Sequence, residues 1–447
     1  MQSADNSESR LEAIARRVAR RLRDAGHIAY FAGGCVRDAL RGVSPKDFDI
    51  ATDAPPDAVQ KIFPRTYAVG AHFGVVVVLE EGLQFEVATF RSDGAYIDGR
   101  RPAEVTFSTP QEDAARRDFT INGMFLDPET DQVIDFVGGR ADLDARLIRA
   151  IGDPAQRFAE DRLRMLRAIR FATMLEFQIE RQTWEALVSA ASWINEISAE
   201  RIREELVRIF LSPHRARGWD LLDASGLMRV ILPELETMKG CEQPPQFHPE
   251  GDVFRHTRIM LELLPPDVSL PLVFSVLFHD IGKPPTSSVD ENGRIRFNGH
   301  DRVGAEMTEG VMQRLRFSRA EIDATVEAVR QHMVFKDVPN MRVAKLKRFM
   351  ARPNFEDELE LHRVDCTSSH GMLDNYEFLR GKKEEFANEP IIPPPLVRGD
   401  DLKQLGFKPG PRFGEILEAV ETRQLEGAFR DRDEALAWVQ REYPTTE

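Results

Sequence analysis

Residues 46–52 read KDFDIAT, with two carboxylates, Asp47 and Asp49, on either side of Phe48. In an extended chain residues i and i+2 project from one face, so the two aspartates point the same way and repel each other. A lone D-x-D is either the solvated face of an edge strand or a site for Mg²⁺, a hard cation that prefers carboxylate oxygens and offsets the repulsion. The flanking sequence has to decide between solvent and metal.

Upstream, IAYFAGG (28–34) reads as a strand ending in Gly33-Gly34, and CVRDALRG (35–42) as a helix. Glycines between a strand and a helix let the backbone approach a phosphate, and Arg37 on the first helical turn adds a charge-assisted donor. Further upstream, LEAIARRVARRLRDAG reads as a helix ending at Gly26. Downstream, PDAVQKIF is a short helix, and FGVVVVLE with LQFEVATF reads as a hairpin of strands. That hairpin carries Glu86, which is either an exposed strand residue or a third carboxylate against the pair.

From about residue 155 to 240 the pattern becomes helical, as in RLRMLRAIRFATML and AERIREELVRIFL. The Pro-rich break CEQPPQFHPEGD (241–252) precedes a helical stretch, 253–385, that holds most of the histidines. A second break, NEPIIPPPLVRGD (388–400), leads into a small helical C-terminal segment. The expected domains are therefore 1–150, 151–240, 241–387 and 388–447.

Bulk properties narrow the function classes. A chain of 447 residues suggests about three domains at roughly 150 residues each. A net charge of −14 excludes a protein that coats nucleic acid by bulk electrostatics, so any nucleic-acid site must be a local basic surface. Cys35, Cys241 and Cys366 are widely separated, odd in number and free of a C-x-x-C pattern, which points to reduced thiols. The N-terminus lacks a basic-then-apolar signal pattern, and no apolar run is long enough for a bilayer. The expectation is a soluble cytoplasmic protein with no membrane partner.

The decisive feature is the order of four motifs. GGCVRD, DFDIAT, RRDFTINGM (116–124) and AEDRLRMLRAIRFA (159–172) follow one another with the spacing of a known family. Residues 28–172 resemble the class II tRNA nucleotidyltransferase and bacterial poly(A) polymerase family. The resemblance implies an α+β molecule: a nucleotidyltransferase-fold head with a small mixed sheet, then an elongated all-α neck and body. It implies that Asp47 and Asp49 bind Mg²⁺, with Glu86 as third catalytic carboxylate. One Mg²⁺ would lower the pKa of an attacking hydroxyl while the other holds the triphosphate. Gly33, Gly34 and Arg37 would cradle phosphates, and Arg117, Asp118 and Asn122 would bind sugar and phosphate. DGAYIDGRR (93–101) resembles the family's flexible loop.

Glu160, Asp161 and Arg164, with Arg167 one turn on, carry the family's base-reading motif, here expected on one helix. Taken alone they would read as a salt-bridge ladder worth only tenths of a kcal/mol. The chemistry of base reading is nonetheless sound. Cytosine and adenine both present an amino donor beside a ring-nitrogen acceptor, which a carboxylate and a guanidinium match. Uracil and guanine present the reverse order and would leave buried polar groups unpaired.

Positive and negative side chains nearly balance over 157–217, an island in an acidic chain. Arg162, Arg170, Arg201, Arg203, Arg208, Arg215 and Arg217 are candidates there for RNA phosphate contacts, or else members of solvated helix faces. Residues 253–370 hold His256, the adjacent His279-Asp280, His300, His332 and Asp365, which match the HD phosphohydrolase pattern. By that match His256, His279, Asp280 and Asp365 form a metal site that His300 and His332 extend, and imidazole favours Mn²⁺, Ni²⁺ or Fe over Mg²⁺.

The expected function is completion of the 3′-terminal CCA of tRNA from CTP and ATP. The alternatives are addition of A alone to tRNA ending in CC, a poly(A) polymerase, or an RNA-binding HD phosphohydrolase with a non-catalytic head. AVGAHFGVVVV (68–78) lacks the Arg-rich stretch associated with the poly(A) polymerases.

Overall fold

The computed structural model describes residues 2–67, 74–94, 105–387 and 390–444, with side chains from residue 10 onward. The chain forms two compact units, Met1–Pro233 and Glu234–Glu447.

The first unit is built on a seven-stranded mixed sheet of order β3-β4-β5-β2-β1-β8-β9. Its strands are β1 (Ala29–Ala32), β2 (Asp49–Thr52), β3 (Thr66–Tyr67), β4 (Val75–Glu80), β5 (Leu83–Thr89), β8 (Phe125–Leu126) and β9 (Val133–Ile134). Two further short strands, β6 (Arg91–Asp93) and β7 (Val105–Phe107), pair with each other. The β4–β5 hairpin turns on Glu81 and Gly82, both with positive φ, the two-residue turn whose twist matches that of the strands. β2 runs parallel to β5 in the register Ile50↔Val87, and antiparallel to β1 with Ala32↔Asp49. β2 thus lies in the middle of the sheet, which fixes where its first residue points.

The strand begins at Asp49 rather than at Asp47, so Asp47 lies on the approach to β2 without ladder bonds. The alternation persists all the same. Asp47 and Asp49 are exposed while Phe48 is buried, its ring 4.9 Å from that of Phe31. Ala32, Ala51 and Phe125 of the same sheet close a buried cluster with Phe90 and Ala114.

The helices of this unit begin with α1 (Gln2–Asp24), α2 (Gly34–Leu40), α3 (Pro56–Ile62), α4 (Pro110–Arg116) and α5 (Gly139–Asp144). α4 opens with a capping box: Thr109 Oγ1 accepts from Glu112 N at 3.3 Å and Glu112 Oε2 accepts from Thr109 N at 3.2 Å. After them come α6 (Pro154–Glu160), α7 (Arg164–Leu175), α8 (Arg181–Ala190), α9 (Ala199–Phe210) and α10 (Arg215–Ala224). The region expected to be all helix also contains a short strand, Gln178–Ile179, which pairs in parallel with Leu147–Ile148.

The second unit is helical apart from a hairpin, Ser287–Val289 with Ile295–Phe297, that the helical reading of 253–385 did not anticipate. Its turn is closed by Asp290, whose Oδ1 accepts from the backbone N–H groups of Asn292 and Arg294, both at 2.9 Å. The C-terminal segment has its own small core around Leu402, Ile416, Val420 and Trp438. Among the described residues no helix is long and apolar enough to cross a membrane.

Candidate functional site

In the first unit a cleft of about 690 Å³ opens over the ends of β1 and β2. Eight arginines and one lysine line it against six aspartates, so an acidic chain presents a locally basic cavity. Gly33, Gly34, Arg37, Asp47, Asp49, Arg117, Asp118, Asn122, Asp161, Arg164 and Arg167 all line it. Glu86 and Glu160 stand outside that lining.

Gly33 leads into α2 with φ 75°, a conformation that favours glycine, and a Cβ there would lie 3.4 Å from Arg117 Nη1 and 3.8 Å from Asp49 Oδ2. The loop backbone therefore passes close to both the acid and its neighbouring cation. Glu86 lies on β5 one residue before Val87, which pairs with Ile50, so Glu86 comes up beside Asp49. Desolvation pushes the Asp49 carboxyl up to about 6, helped by the charges of Glu86 and Asp47 and opposed by Arg117. Asp49 itself lines the cleft.

The RRDFTING motif forms the wall of the cleft. Buried Asp113 organises it: Oδ2 accepts from Arg117 Nε and Nη2 at 3.1 and 3.0 Å, and Oδ1 from Arg116 Nε at 2.9 Å. Burial would raise the Asp113 carboxyl, but Arg117 and Arg116 hold it below the usual range. Asp118 is spent on the protein, accepting from Phe119 N at 2.8 Å, Asn122 Nδ2 at 3.2 Å and Arg167 Nε at 2.8 Å. Arg37 is likewise engaged, donating to Asp38 at 2.9 Å and to Asn122 Oδ1 at 2.8 Å. Both orient their neighbours from within the wall. Residues 95–104 of the expected flexible loop, and 68–73, lie outside the described residues.

The expectation of one helix through Glu160–Arg164 is corrected. α6 ends at Glu160, and Asp161 is extended, with φ −138° and ψ 102°. Asp161 Oδ1 accepts from Leu163 N at 3.1 Å, a side-chain turn that competes with helix propagation. The chain then restarts as α7, with Arg164 on its first turn. Arg164 Nη1 donates to Glu160 Oε2 at 2.7 Å and Arg157 O at 3.1 Å, and Nη2 to Arg116 O at 3.1 Å. The break puts Asp161 and Arg164 in the cleft together and leaves Glu160 behind Arg164 as its anchor.

Several of the arginines offered for RNA contacts are internal. Arg170 pairs with Glu205 at 2.6 Å, both buried. Fully buried Arg215 donates to Phe210 O at 2.9 Å, and Arg217 donates to Ala172 O at 3.1 Å and Phe177 O at 2.6 Å. Arg208 remains exposed.

The second unit gathers all six residues of the histidine pattern. His256 Nε2 lies 3.2 Å from Asp365 Oδ1, and His279 Nε2 3.1 Å from Asp280 Oδ2. His300 Nε2 and His332 Nε2 lie 3.6 and 3.9 Å from Asp280 Oδ1 and 3.2 Å from each other. The opposite ring nitrogens are tied down. Nδ1 of His279, His300 and His332 bonds the carbonyls of Val276, Phe297 and Val329 at 2.9, 2.8 and 2.6 Å, and that of His256 bonds Glu250 Oε1 at 2.7 Å. Nδ1 therefore carries the proton wherever it meets a carbonyl, and Nε2 is aimed inward as a lone pair. Buried His256 Nε2, His279 Nε2 and both Asp280 oxygens make no well-directed hydrogen bond among the described residues, although each has an ionisable neighbour within 3.6 Å.

Burial would lower the His256 imidazolium, yet Asp365 and Glu250 hold it up to about 9. His332 is pushed down to about 4 by burial and by the charges of His300 and His279. Against burial, His279 and Lys283 keep Asp280 well below the carboxylate range. The sequence reading missed Glu250, which braces His256, and Lys283, whose Nζ lies 2.6 Å from Asp280 Oδ2 and donates to Gln243 Oε1 at 2.7 Å. Lys283 was legible three residues after Asp280 in HDIGK; Glu250 was hidden in a Pro-rich break.

Residues 29–149 match the poly A polymerase head domain, 176–239 a probable RNA- and SrmB-binding site of polymerase A, and 253–365 the HD domain. The CCA-adding enzyme of Streptococcus thermophilus is 32% identical over 427 residues, 95% of either chain. The chain belongs to the tRNA nucleotidyltransferase family. Another relative in the family, the A-adding tRNA nucleotidyltransferase of Deinococcus radiodurans, is 34% identical over 92% of this chain and 95% of its own. A crystal structure of the Bacillus stearothermophilus CCA-adding enzyme with CTP superposes with a TM-score of 0.72, at 27% identity and 96% coverage of both chains. As in the family, a mixed-sheet head precedes a helix-rich remainder with an HD domain.

Proposed function

We propose that this tRNA nucleotidyltransferase completes the CCA end of tRNA from CTP and ATP, in the cytoplasm, with a head that binds Mg²⁺. The observation that carries it is the meeting of Asp47 and Asp49 with Asp161 and Arg164 in one basic cleft. The donor set fits the metal: two exposed carboxylates, with Glu86 beside Asp49, form an acidic cluster of hard oxygens whose mutual repulsion a divalent cation relieves. Asp47 and Asp49 would hold it, and Mg²⁺ supplies charge neutralisation for the triphosphate and a more acidic attacking hydroxyl.

The chain's own groups do the rest. Gly33 and Gly34 bring backbone close to the acids, and Arg117, fixed by Asp113, faces the same space to bind phosphate or sugar. Asn122 lines the cleft with its amide oriented by Arg37 and Asp118. The motif's Asp118 and Arg167 act as its brace, although Arg167 also lines the cleft. Asp161 keeps lone pairs for the amino group shared by cytosine and adenine. Arg164 uses Nη1 and part of Nη2 on the protein, which leaves Nε and one Nη2 donor for the ring nitrogen. Glu160 acts through Arg164.

The second site is proposed to be an active phosphohydrolase acting on an ester such as a 2′,3′-cyclic phosphate. The clustered Nε2 atoms and Asp280 oxygens, none with a well-directed hydrogen bond, fit a metal, and the imidazole-rich set fits Mn²⁺, Ni²⁺ or Fe. His256, His279, Asp280 and Asp365 would hold one ion, and His300 and His332 with Asp280 a second; the metal supplies an activated water.

The relative that adds only A supports a second reading, A addition to tRNA ending in CC. Product sizing separates the two. Transfer RNA ending at the discriminator base, at C and at CC is incubated with CTP, ATP or both. Full CCA addition extends all three substrates, whereas the A-adding reading predicts extension of the CC substrate alone, by one nucleotide.

A further inference from the structure

Asp161 is held from outside its own motif. On α9, 40 residues along the chain, Arg201 Nη2 donates to Asp161 Oδ2 at 3.0 Å and to Oδ1 at 3.3 Å. Both residues are half-buried and both line the cleft. The same helix face, one turn on, carries Glu205, whose pair with Arg170 on α7 is buried on both sides. α9 is thus clamped to α7 at one point and reaches the residue just before α7 at the other. At that residue the backbone is extended, and the only other bond described for the carboxylate is the one from Leu163 N, so Arg201 fixes the direction of its second oxygen. Arg201 is also less than saturated: its Nη1 is buried and has no hydrogen-bond partner among the described residues. Leaving such a donor unmet is costly, so Arg201 is not optimised as a purely structural pin.

The geometry points to Arg201 as the positioning residue that sets base selectivity by aiming Asp161. A carboxylate free to rotate can present its lone pairs to other donors, including the ring N–H of uracil or guanine, and its preference for an exocyclic amino group weakens. Held by Arg201 on Oδ2 and by Leu163 N on Oδ1, it offers its remaining lone pairs in a fixed direction. Arg164 is braced in parallel by Glu160, so the two halves of the base-reading pair are oriented by independent partners. The inference rests on the reading of Asp161 as the group that meets the base.

The test measures kcat/KM for CTP, ATP, UTP and GTP on one tRNA acceptor for Arg201→Ala, Arg201→Lys, Asp161→Ala and the double variant, each checked for folding by thermal unfolding. Arg201→Ala is expected to lower the preference for CTP over UTP roughly tenfold, the lower end of what a charge-assisted bond is worth. Arg201→Lys should recover most of it, and Arg201→Ala should change the ratio no further once Asp161 is alanine. If Arg201→Ala does not fold, Arg201→Gln takes its place with the same expectations. A ratio that shifts with Asp161→Ala but not with the Arg201 variants overturns the inference and leaves the base-reading role of Asp161 standing. A ratio that neither substitution moves overturns both.

Discussion

Arg167 on α7 donates through Nε to Oδ2 of buried Asp118 at 2.8 Å, joining the RRDFTING wall to α7 across 49 residues of chain. Burial would raise the Asp118 carboxyl, but Arg167, Asn122 and the backbone N–H of Phe119 bring it down to about 2. Because the folded value lies below the ordinary 3.8, the pair's stabilisation is fully present above about pH 4 and is lost as pH falls through 2. Asp118→Asn should therefore cost about 2 kcal/mol at pH 7 and progressively less toward pH 2. Urea midpoints across that range check this; a cost independent of pH would mean that packing, not charge, holds Asp118.

Asp49 has the opposite sign. Its folded value, about 6, is raised, so its contribution to stability is fully present below about pH 4 and is lost as pH rises through 6. Asp49→Asn should raise Tm more at pH 8 than at pH 5, while abolishing nucleotide addition with Mg²⁺. Asp47→Ala should abolish addition too and leave the fold intact, because its side chain is exposed. Near-wild-type addition by either variant would remove the two aspartates from the metal site.

Asp161→Ala removes an acceptor for the amino group common to cytosine and adenine. Charged hydrogen bonds are worth about 1.5–3 kcal/mol, so discrimination against UTP and GTP should fall roughly ten- to a hundredfold. Arg164→Ala should act similarly and also slow CTP and ATP. Equal slowing of all four nucleotides would place base choice elsewhere.

In the second unit, His279→Ala or Asp280→Ala should abolish hydrolysis of phosphate esters and spare nucleotide addition. Stripping with a chelator should do the same, with recovery on adding Mn²⁺, Ni²⁺ or Fe²⁺. Absence of hydrolysis with all of these metals would count against an active phosphohydrolase.

Gly282 follows the His-Asp pair closely, and a Cβ there would meet His300 O at 2.2 Å and Gly304 N at 2.6 Å. Both are backbone atoms, which cannot swing away. Gly282→Ala should push the helix bearing His300 outward, lowering metal content by elemental analysis without touching a ligand. Full metal occupancy in that variant would show that the backbone there yields.

The sequence by itself determined the family and most of the elements of the head. The alternation of Asp47, Phe48 and Asp49 specified a half-buried extended segment, and the motif order specified the family and its acids. Those features are local, because period and spacing are written along the chain. Only the tertiary structure decided which polar groups face the cleft and which are spent on the protein. Asp118, Arg170 and Arg215 are each spent on a partner far off in the chain or on a backbone carbonyl, which nothing in their local sequence announces. Asp113, Glu250 and Arg201 gave no sign of the side chains they hold. A charge's partner is set by which helices pack together, and a buried ion must find one because leaving it unpaired costs several kcal/mol.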